Sequence, residues 1–430
     1  MDKLIIQGGK QLHGELTPAG NKNSALPLLA ACLLTDEAVV LHNMPEIRDV
    51  QAMRALLESL GVSVDNIGNH TWRVQASEVR PADLDPDLCK KIRASILLAG
   101  PMLARTGTLR LPPPGGDVIG RRRVDTHILA LRSLGAYADY NRQQKAFEFE
   151  AKYLTGSDML MDEASVTATE NAIMAAVCAR GTTILRNAAS EPHIQELCLM
   201  LNTLGAQIEN VGSNTLLIHG VPKLHGGEFT IGPDYLEVAS FIGAAVVTRG
   251  SIRIRRAAPQ YLNMTRLVFG RMGVTWEVDG EDIVVPGEQA LLIEPDLGDA
   301  IPEIKTNVWP AFPSDLVSIA ITIATQASGS ILFHDWMYPS RMYFTDKLVN
   351  MGAQIVLCDP HRCIVIGPTQ LIGEKVESPD IRAGMALVLA ALAAEGKSTI
   401  RNAGQIDRGY EKIEEKLRSL GAQIVRESGE

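Results

Sequence analysis

Between Leu111 and His127 the chain reads LPPPGGDVIGRRRVDTH, with one carboxylate, Asp117, shortly before three consecutive arginines, Arg121, Arg122 and Arg123. Guanidinium forks suit phosphate and carboxylate groups, and a carboxyl can serve as a general acid or base. The prolines and paired glycines keep the segment from holding one helix or strand throughout and let it move. A solvated surface loop is the plain alternative. Elsewhere, polar groups stand where apolar runs begin: Asn21, Lys22 and Asn23 before Ser24, Arg93 before Ala94, Asp315 after Pro313-Ser314, and Arg382 after Asp380. Helix N-termini attract anions, so a cation there works against the helix itself. Lys22 and Arg382 therefore point to an anionic ligand, as does Arg408, which reads as the opening of an amphipathic helix in IDRGYEKIEEKL. The Asn and Ser residues fit N-caps as well, and Asp315 fits a favourable N-terminal carboxylate.

Several chemistries lack their signatures. No HExxH or related metal pattern, no GxxxxGK[ST] loop and no GxSxG elbow occurs. The six cysteines form no CxxC pair, so buried reduced thiols are expected and neither a zinc site nor a disulfide framework. A net charge of -9 argues against nucleic acid or an anionic membrane as partner. No basic and apolar leader opens the chain. Met1 to Gly8 reads as a short strand, which implies a cytoplasmic protein.

The elements that carry these groups repeat. A Leu-Gly or Met-Gly pair followed by Ala or Val recurs at Gly61, Gly135, Gly205, Gly273, Gly352 and Gly421. An amphipathic helix precedes each, with the glycine at its C′ position, and a short alternating strand follows most of them. Upstream lie recurring strands, AVVLHN, TLRLPP, TTILRN, SIRIRR, SILFHD and STIRNA. Before those come uncharged segments at Ser24–Thr35, Ala94–Ala104, Asn171–Ala179, Val238–Thr248, Leu316–Gly329 and Ala383–Ala394. A helix apolar on all sides is buried on all sides, and these are too short to span a bilayer. The pattern predicts an α/β protein of two inside-out domains, each of three units with helices inside and sheets around them. From the start of the repeated strand to the closing glycine there are 23 or 24 residues in five copies and 28 in the second. The surplus falls in the Leu111–His127 loop, where an insertion into a repeated scaffold places specialised function.

Five stretches make the chain resemble the UDP-N-acetylglucosamine 1-carboxyvinyltransferase family of enolpyruvyl transferases. They are GNKNSALPLLAA at 20–31, IRAS at 92–95, GGDVIGRRRVDTH in the loop, FPSD at 312–315 and IDRGYEKIEEKLRSLGA at 406–422. The resemblance implies the enolpyruvyl transferase fold, with one domain over 21–232 carrying a mobile loop at 111–123. The other would combine 1–20 with 233–430, and the active site would lie in the cleft between them. It implies transfer of the enolpyruvyl group of phosphoenolpyruvate to the 3-hydroxyl of UDP-N-acetylglucosamine, the first committed step of peptidoglycan synthesis, with no metal or organic cofactor. Lys22, Asn23, Arg122, Arg341, Arg382 and Arg408 would bind phosphoenolpyruvate. Asn23, Arg93, Arg122, Arg123, Val124, Asp125, Thr126, His127, Ser165, Asp315 and Met337 would hold the UDP-sugar. Asp117 would be the proton donor and Asp315 the base, with Lys22, Arg122 and Arg408 completing the catalytic set.

Three departures stand out. The loop donor, most often cysteine in the family, is Asp117, which implies resistance to fosfomycin, an epoxide that alkylates that cysteine. Arg123 replaces a proline, and Thr167 a glycine commonly found two residues after the matched serine. The last two leave open a paralogue that serves another nucleotide or sugar. A catalytically silent member acting as a binding protein is the remaining alternative.

Overall fold

The computed structural model describes residues 2–81, 84–117, 119–120 and 122–428. The six amphipathic helices of the repeat end in the same way. The helices Arg48–Ser59, Asp125–Ser133, Pro192–Thr203, Asn263–Gly270, Thr345–Asn350 and Ile413–Ser419 each run into one of the six predicted glycines. All six glycines have φ between +81° and +100°. In each copy the glycine N–H bonds back three residues, and the next residue's N–H reaches back five, as in Val62 to Leu57 and Ala422 to Leu417. This is the Schellman arrangement, which satisfies the last helical carbonyls and needs a left-handed residue. Gly135 isolates that need, because a Cβ built on it meets nothing within 4 Å. Gly135→Ala should cost about 1–2 kcal/mol of backbone strain alone. Thermal unfolding should then shift down by roughly 2–8 °C; an unchanged midpoint would remove the left-handed requirement.

With their leading 3-10 turns included, the buried helices begin one to five residues before their apolar runs. They cover Lys22–Ala31, Ala99–Thr106 (preceded by a 3-10 turn, Arg93–Leu98), Val166–Ala176, Tyr235–Val247, Val317–Ala324 (preceded by Ser314–Leu316) and Ile381–Ala393. The fifth stops well short of Gly329, which instead opens a strand. Charged residues sit inside several first turns because each charge is matched or suppressed. Lys22 meets Asp49, Glu237 meets Lys416 and Arg382 meets Asp315. Glu170 is 1% exposed, and burial pushes its carboxyl well above the usual range, which favours the neutral acid.

The chain divides into two compact units, the first Gly20–Asp117 with Arg122–Gly232, the second Met1–Ala19 with Val118–Arg121 and Pro233–Glu430. Among the described residues each has its own apolar core and three sheets. In the second unit the buried helices Tyr235–Val247, Val317–Ala324 and Ile381–Ala393 pack on one another. Five sheets share a plan of a parallel edge strand, the repeated strand, then an antiparallel pair; one example is Asp158–Leu160, Thr182–Arg186, Thr215–His219 and Gln207–Glu209. The sheet of the second copy has only Thr108–Leu111, Ala146–Glu150 and Tyr137–Asn141 among the described residues. In the sixth copy the strand Lys3–Gln7 lies antiparallel between Lys397–Arg401 and Gln423–Glu427, and Leu4 and Ile6 are fully buried there. Among the described residues no helix is long and apolar enough to cross a membrane.

Candidate active site

The loop that lengthens the second copy is pinned by its glycines. Gly115 N–H donates to Cys89 O at 3.0 Å, and a Cβ there would lie 1.7 Å from Lys90 O. Gly116 has φ +105°, and its Cβ would meet Arg93 Cβ at 2.9 Å and Arg122 Nη1 at 3.4 Å. Only glycine allows this approach, which gathers Arg93 and Arg122 beside the residue preceding Asp117. Asp117 itself is partly exposed. Arg121 lies outside the described residues. Ile119 and Gly120 group with the second unit, where Ser340 N–H donates to Ile119 O at 3.3 Å.

Downstream the first unit holds a charged cluster. Arg93 Nη2 donates to Arg123 O at 2.7 Å. Arg123 Nε lies 3.2 Å from Asp125 Oδ2 and its Nη2 3.4 Å from Asp162 Oδ2, and the Asp125 contact raises the guanidinium further above its ordinary value. Thr126 Oγ1 donates to the other Asp162 oxygen at 2.8 Å. Val124 occupies the N-cap of helix Asp125–Ser133, and Ser165 that of Val166–Ala176, the latter without a side-chain cap bond. The Ser165 hydroxyl is therefore not committed to capping.

His127 is 1% exposed and both of its nitrogens are engaged. Asn171 accepts from Gly100 N–H at 2.7 Å, so its amide nitrogen donates, to Ile96 O at 2.8 Å and to His127 Nδ1 at 2.9 Å. With Nδ1 accepting, the ring proton sits on Nε2 and points at Thr167 Oγ1, 3.0 Å away. Burial, with Arg93 adding to it, pushes the imidazole down to about 3, so the ring is neutral at physiological pH. His127 thus holds the Asp125–Ser133 and Val166–Ala176 helices in register from inside, and Thr167 supplies the acceptor that a glycine would lack.

The cations at helix starts have local partners that the dipole argument overlooks. Lys22 is 8% exposed and pairs with Asp49, 4% exposed, at 2.8 Å. Asn23 N–H donates to the Asn21 cap at 2.9 Å. Arg408 does not open an amphipathic helix. It closes the 3-10 turn Ala403–Arg408, where a cation is favourable, and Nη1 donates to Gln405 Oε1 at 3.1 Å. The next helix begins only at Ile413.

In the second unit three of the predicted residues meet. Asp315 sits in the turn Ser314–Leu316, whose N-cap is Pro313, and caps no helix. Its carboxylate lies 2.9 Å from Arg341 Nη2 and 3.5 Å from Arg382 Nη2. Arg341 and Arg382 are 3% and 4% exposed, whereas the Asp315 side chain is one-third exposed. Burial alone would lower the Arg382 guanidinium, but Asp315 and Tyr410 outweigh it and hold the group firmly charged. The arrangement is a carboxylate open to solvent, backed by two buried guanidiniums. Asp335, fully buried, accepts from Thr306 Oγ1 at 2.8 Å, Ser314 Oγ, and Met337 N–H at 3.1 Å, and lies 4.0 Å from Arg341 Nε. It fixes the turn that carries Asp315 and the backbone of Met337 together.

Sequence pattern does not mark Asp49, Asp162, Asp335 or Tyr410 as functional. Tyr410 lies inside the stretch IDRGYEKIEEKLRSLGA, two residues after Arg408, but its residue type alone marks no role. Asp335 carries only the weak signal of a carboxylate directly after the repeated strand Gly329–His334.

Comparisons with known proteins agree with this architecture. The model of the EPSP synthase (3-phosphoshikimate 1-carboxyvinyltransferase) family matches residues 6–417. A UDP-N-acetylglucosamine 1-carboxyvinyltransferase of Bradyrhizobium diazoefficiens is 54% identical over 99% of this chain and 98% of its own. One from Treponema denticola is 53% identical over 99% of each. Among solved structures, the enolpyruvyl transferase NikO from Streptomyces tendae aligns over 100% of this chain and 99% of its own, with TM-score 0.88 and 25% identity. An EPSP synthase from Acinetobacter baumannii shares the fold at TM-score 0.77 and 17% identity over the whole of both chains.

Proposed function

The chain belongs to the enolpyruvyl transferase family, and from that premise we propose how its residues carry out the reaction. It is an enzyme that moves the enolpyruvyl group of phosphoenolpyruvate onto UDP-N-acetylglucosamine and releases phosphate, a step of peptidoglycan synthesis. Asp117 delivers a proton to the methylene carbon of phosphoenolpyruvate, and the adjoining carbon becomes oxocarbenium-like. The sugar 3-hydroxyl attacks that carbon and gives its proton to Asp315. Loss of a proton from the new methyl group and departure of phosphate then restore the double bond as the enolpyruvyl ether. General acid and base so placed contribute about 10²- to 10⁴-fold each.

The observation that carries this reading is the solvent-facing Asp315 carboxylate between two buried guanidiniums. Arg341 and Arg382 offer charge to the phosphate and carboxylate of phosphoenolpyruvate, with Lys22, Asn23, Arg122 and Arg408 serving the same anion. Arg93, Arg123, Val124, Asp125, Thr126, Ser165 and Met337 belong to the sugar nucleotide. His127 acts on it from behind, through the helix starts it holds. With a carboxyl at 117 there is no thiol for fosfomycin to alkylate. A nucleotide-activated sugar as acceptor places the work in the cytoplasm. The test is release of phosphate from phosphoenolpyruvate with UDP-N-acetylglucosamine, run beside other sugar nucleotides. Release only with another acceptor would assign the chain to a paralogous activity, and none with any would leave a binding protein.

A further inference from the structure

Behind Asp315, the second unit holds Arg382 by a chain of hydroxyl groups whose direction is fixed. Arg382 Nη1 lies 3.4 Å from Tyr410 OH, and that hydroxyl lies 2.9 Å from Ser240 Oγ. Ser240 Oγ in turn donates to Leu236 O at 2.7 Å. Each hydroxyl has one proton to give. Ser240 commits its proton to a carbonyl, so it accepts from Tyr410. The Tyr410 proton is thereby used, and its oxygen turns a lone pair towards Arg382, a group that only donates. The order Arg382 to Tyr410 to Ser240 to Leu236 allows no reversal.

We propose that Tyr410 is a positioning residue for recognition of phosphoenolpyruvate, orienting Arg382 without neutralising it. The inference rests on the reading given above, in which Arg382 binds that anion. A carboxylate in place of the phenol would pair with the guanidinium and compete with the ligand. The phenol is 2% exposed, and burial pushes it up, so it stays uncharged. Its ring also lies 5.7 Å from the Arg382 guanidinium carbon. The charge of Arg382 is left to Asp315, to Asp234 and to an arriving anion. Tyr410 stands two residues after Arg408, so one short segment sets two of the cations assigned to the same ligand.

Tyr410→Phe removes the oxygen and keeps the ring. With whichever sugar nucleotide supports phosphate release, KM for phosphoenolpyruvate should rise about tenfold, the scale of one hydrogen bond to a charged group. KM for the sugar nucleotide and the melting midpoint should stay near wild type. Ser240→Ala should raise the same KM by less, and should add nothing in the Tyr410→Phe background, because both act through one chain. An equal rise in both KM values, a fall in melting midpoint with no change in KM, or additive effects would reduce Tyr410 to a core residue and overturn the proposal. Absence of phosphate release from wild type with every acceptor would instead sink the functional reading, and the proposal with it.

Discussion

Asp117→Asn should lose turnover by about 10²- to 10⁴-fold, the usual cost of removing a general acid. A carboxamide keeps the shape of the side chain but has no proton to deliver to carbon. Asp117→Cys should remain active, since a thiol can carry that proton and is the group most of the family uses. The two substitutions together separate proton delivery from loop geometry, because Gly115 and Gly116 fix the backbone beside the residue by contacts with Lys90 and Arg93 that neither change disturbs. Fosfomycin adds a third measurement. Wild type should keep its activity after incubation with the epoxide, and Asp117→Cys should be alkylated at that position and lose it. Full activity in Asp117→Asn, or covalent inactivation of wild type at the loop, would end the assignment of Asp117 as donor.

Asp315→Asn should produce opposite changes in turnover and binding. Turnover should fall by about 10²- to 10⁴-fold with loss of the base. Affinity for phosphoenolpyruvate should rise, because in wild type the carboxylate already partners Arg341 at 2.9 Å and Arg382 at 3.5 Å. Without it, two buried guanidiniums lack part of their counter-charge, and the arriving anion supplies it. Removing one partner of a buried pair is costly when nothing else compensates. Here Asp335 and Asp380 still favour the charged form of Arg341, so the variant should fold, as its melting curve will show. Turnover within a few-fold of wild type would leave Asp315 a counter-ion only. Weaker binding of phosphoenolpyruvate would show that the carboxylate does not occupy the ligand's place.

The repeat was readable because its marker is a backbone necessity. Six glycines recur where six helices need a left-handed residue, and no other residue type meets that need so cheaply. The starts of the buried helices were readable only to within five residues. Lys22, Glu170, Glu237 and Arg382 look like the end of an apolar run, yet Asp49, Lys416, Asp315 or burial itself admits each to the interior. The same blindness to partners affects the site. Along the chain Lys22 and Arg382 stand as cations without local compensation, and the compensation comes from carboxylates distant in sequence. His127 could be named from its motif, but not its tautomer, because Asn171 sets it from another helix. A pattern along the chain reveals what the backbone requires locally. It does not reveal which buried charge another element will answer.

The strand Lys3–Gln7 bears on how the protein is made. It sits between Lys397–Arg401 and Gln423–Glu427, so these residues must wait for partners translated hundreds of residues later. At about 5–20 residues per second that wait is on the order of 20–90 s. The first unit can fold while synthesis continues, since its described strands pair only among residues 38–230. The second cannot close this sheet until residues 423–427 are made, and Leu4 and Ile6, later buried, stay exposed meanwhile. The newborn chain therefore passes through a state with one finished unit and one open sheet, in which Lys3–Gln7 is an apolar strand with no neighbour, the form most open to capture by a chaperone or another chain.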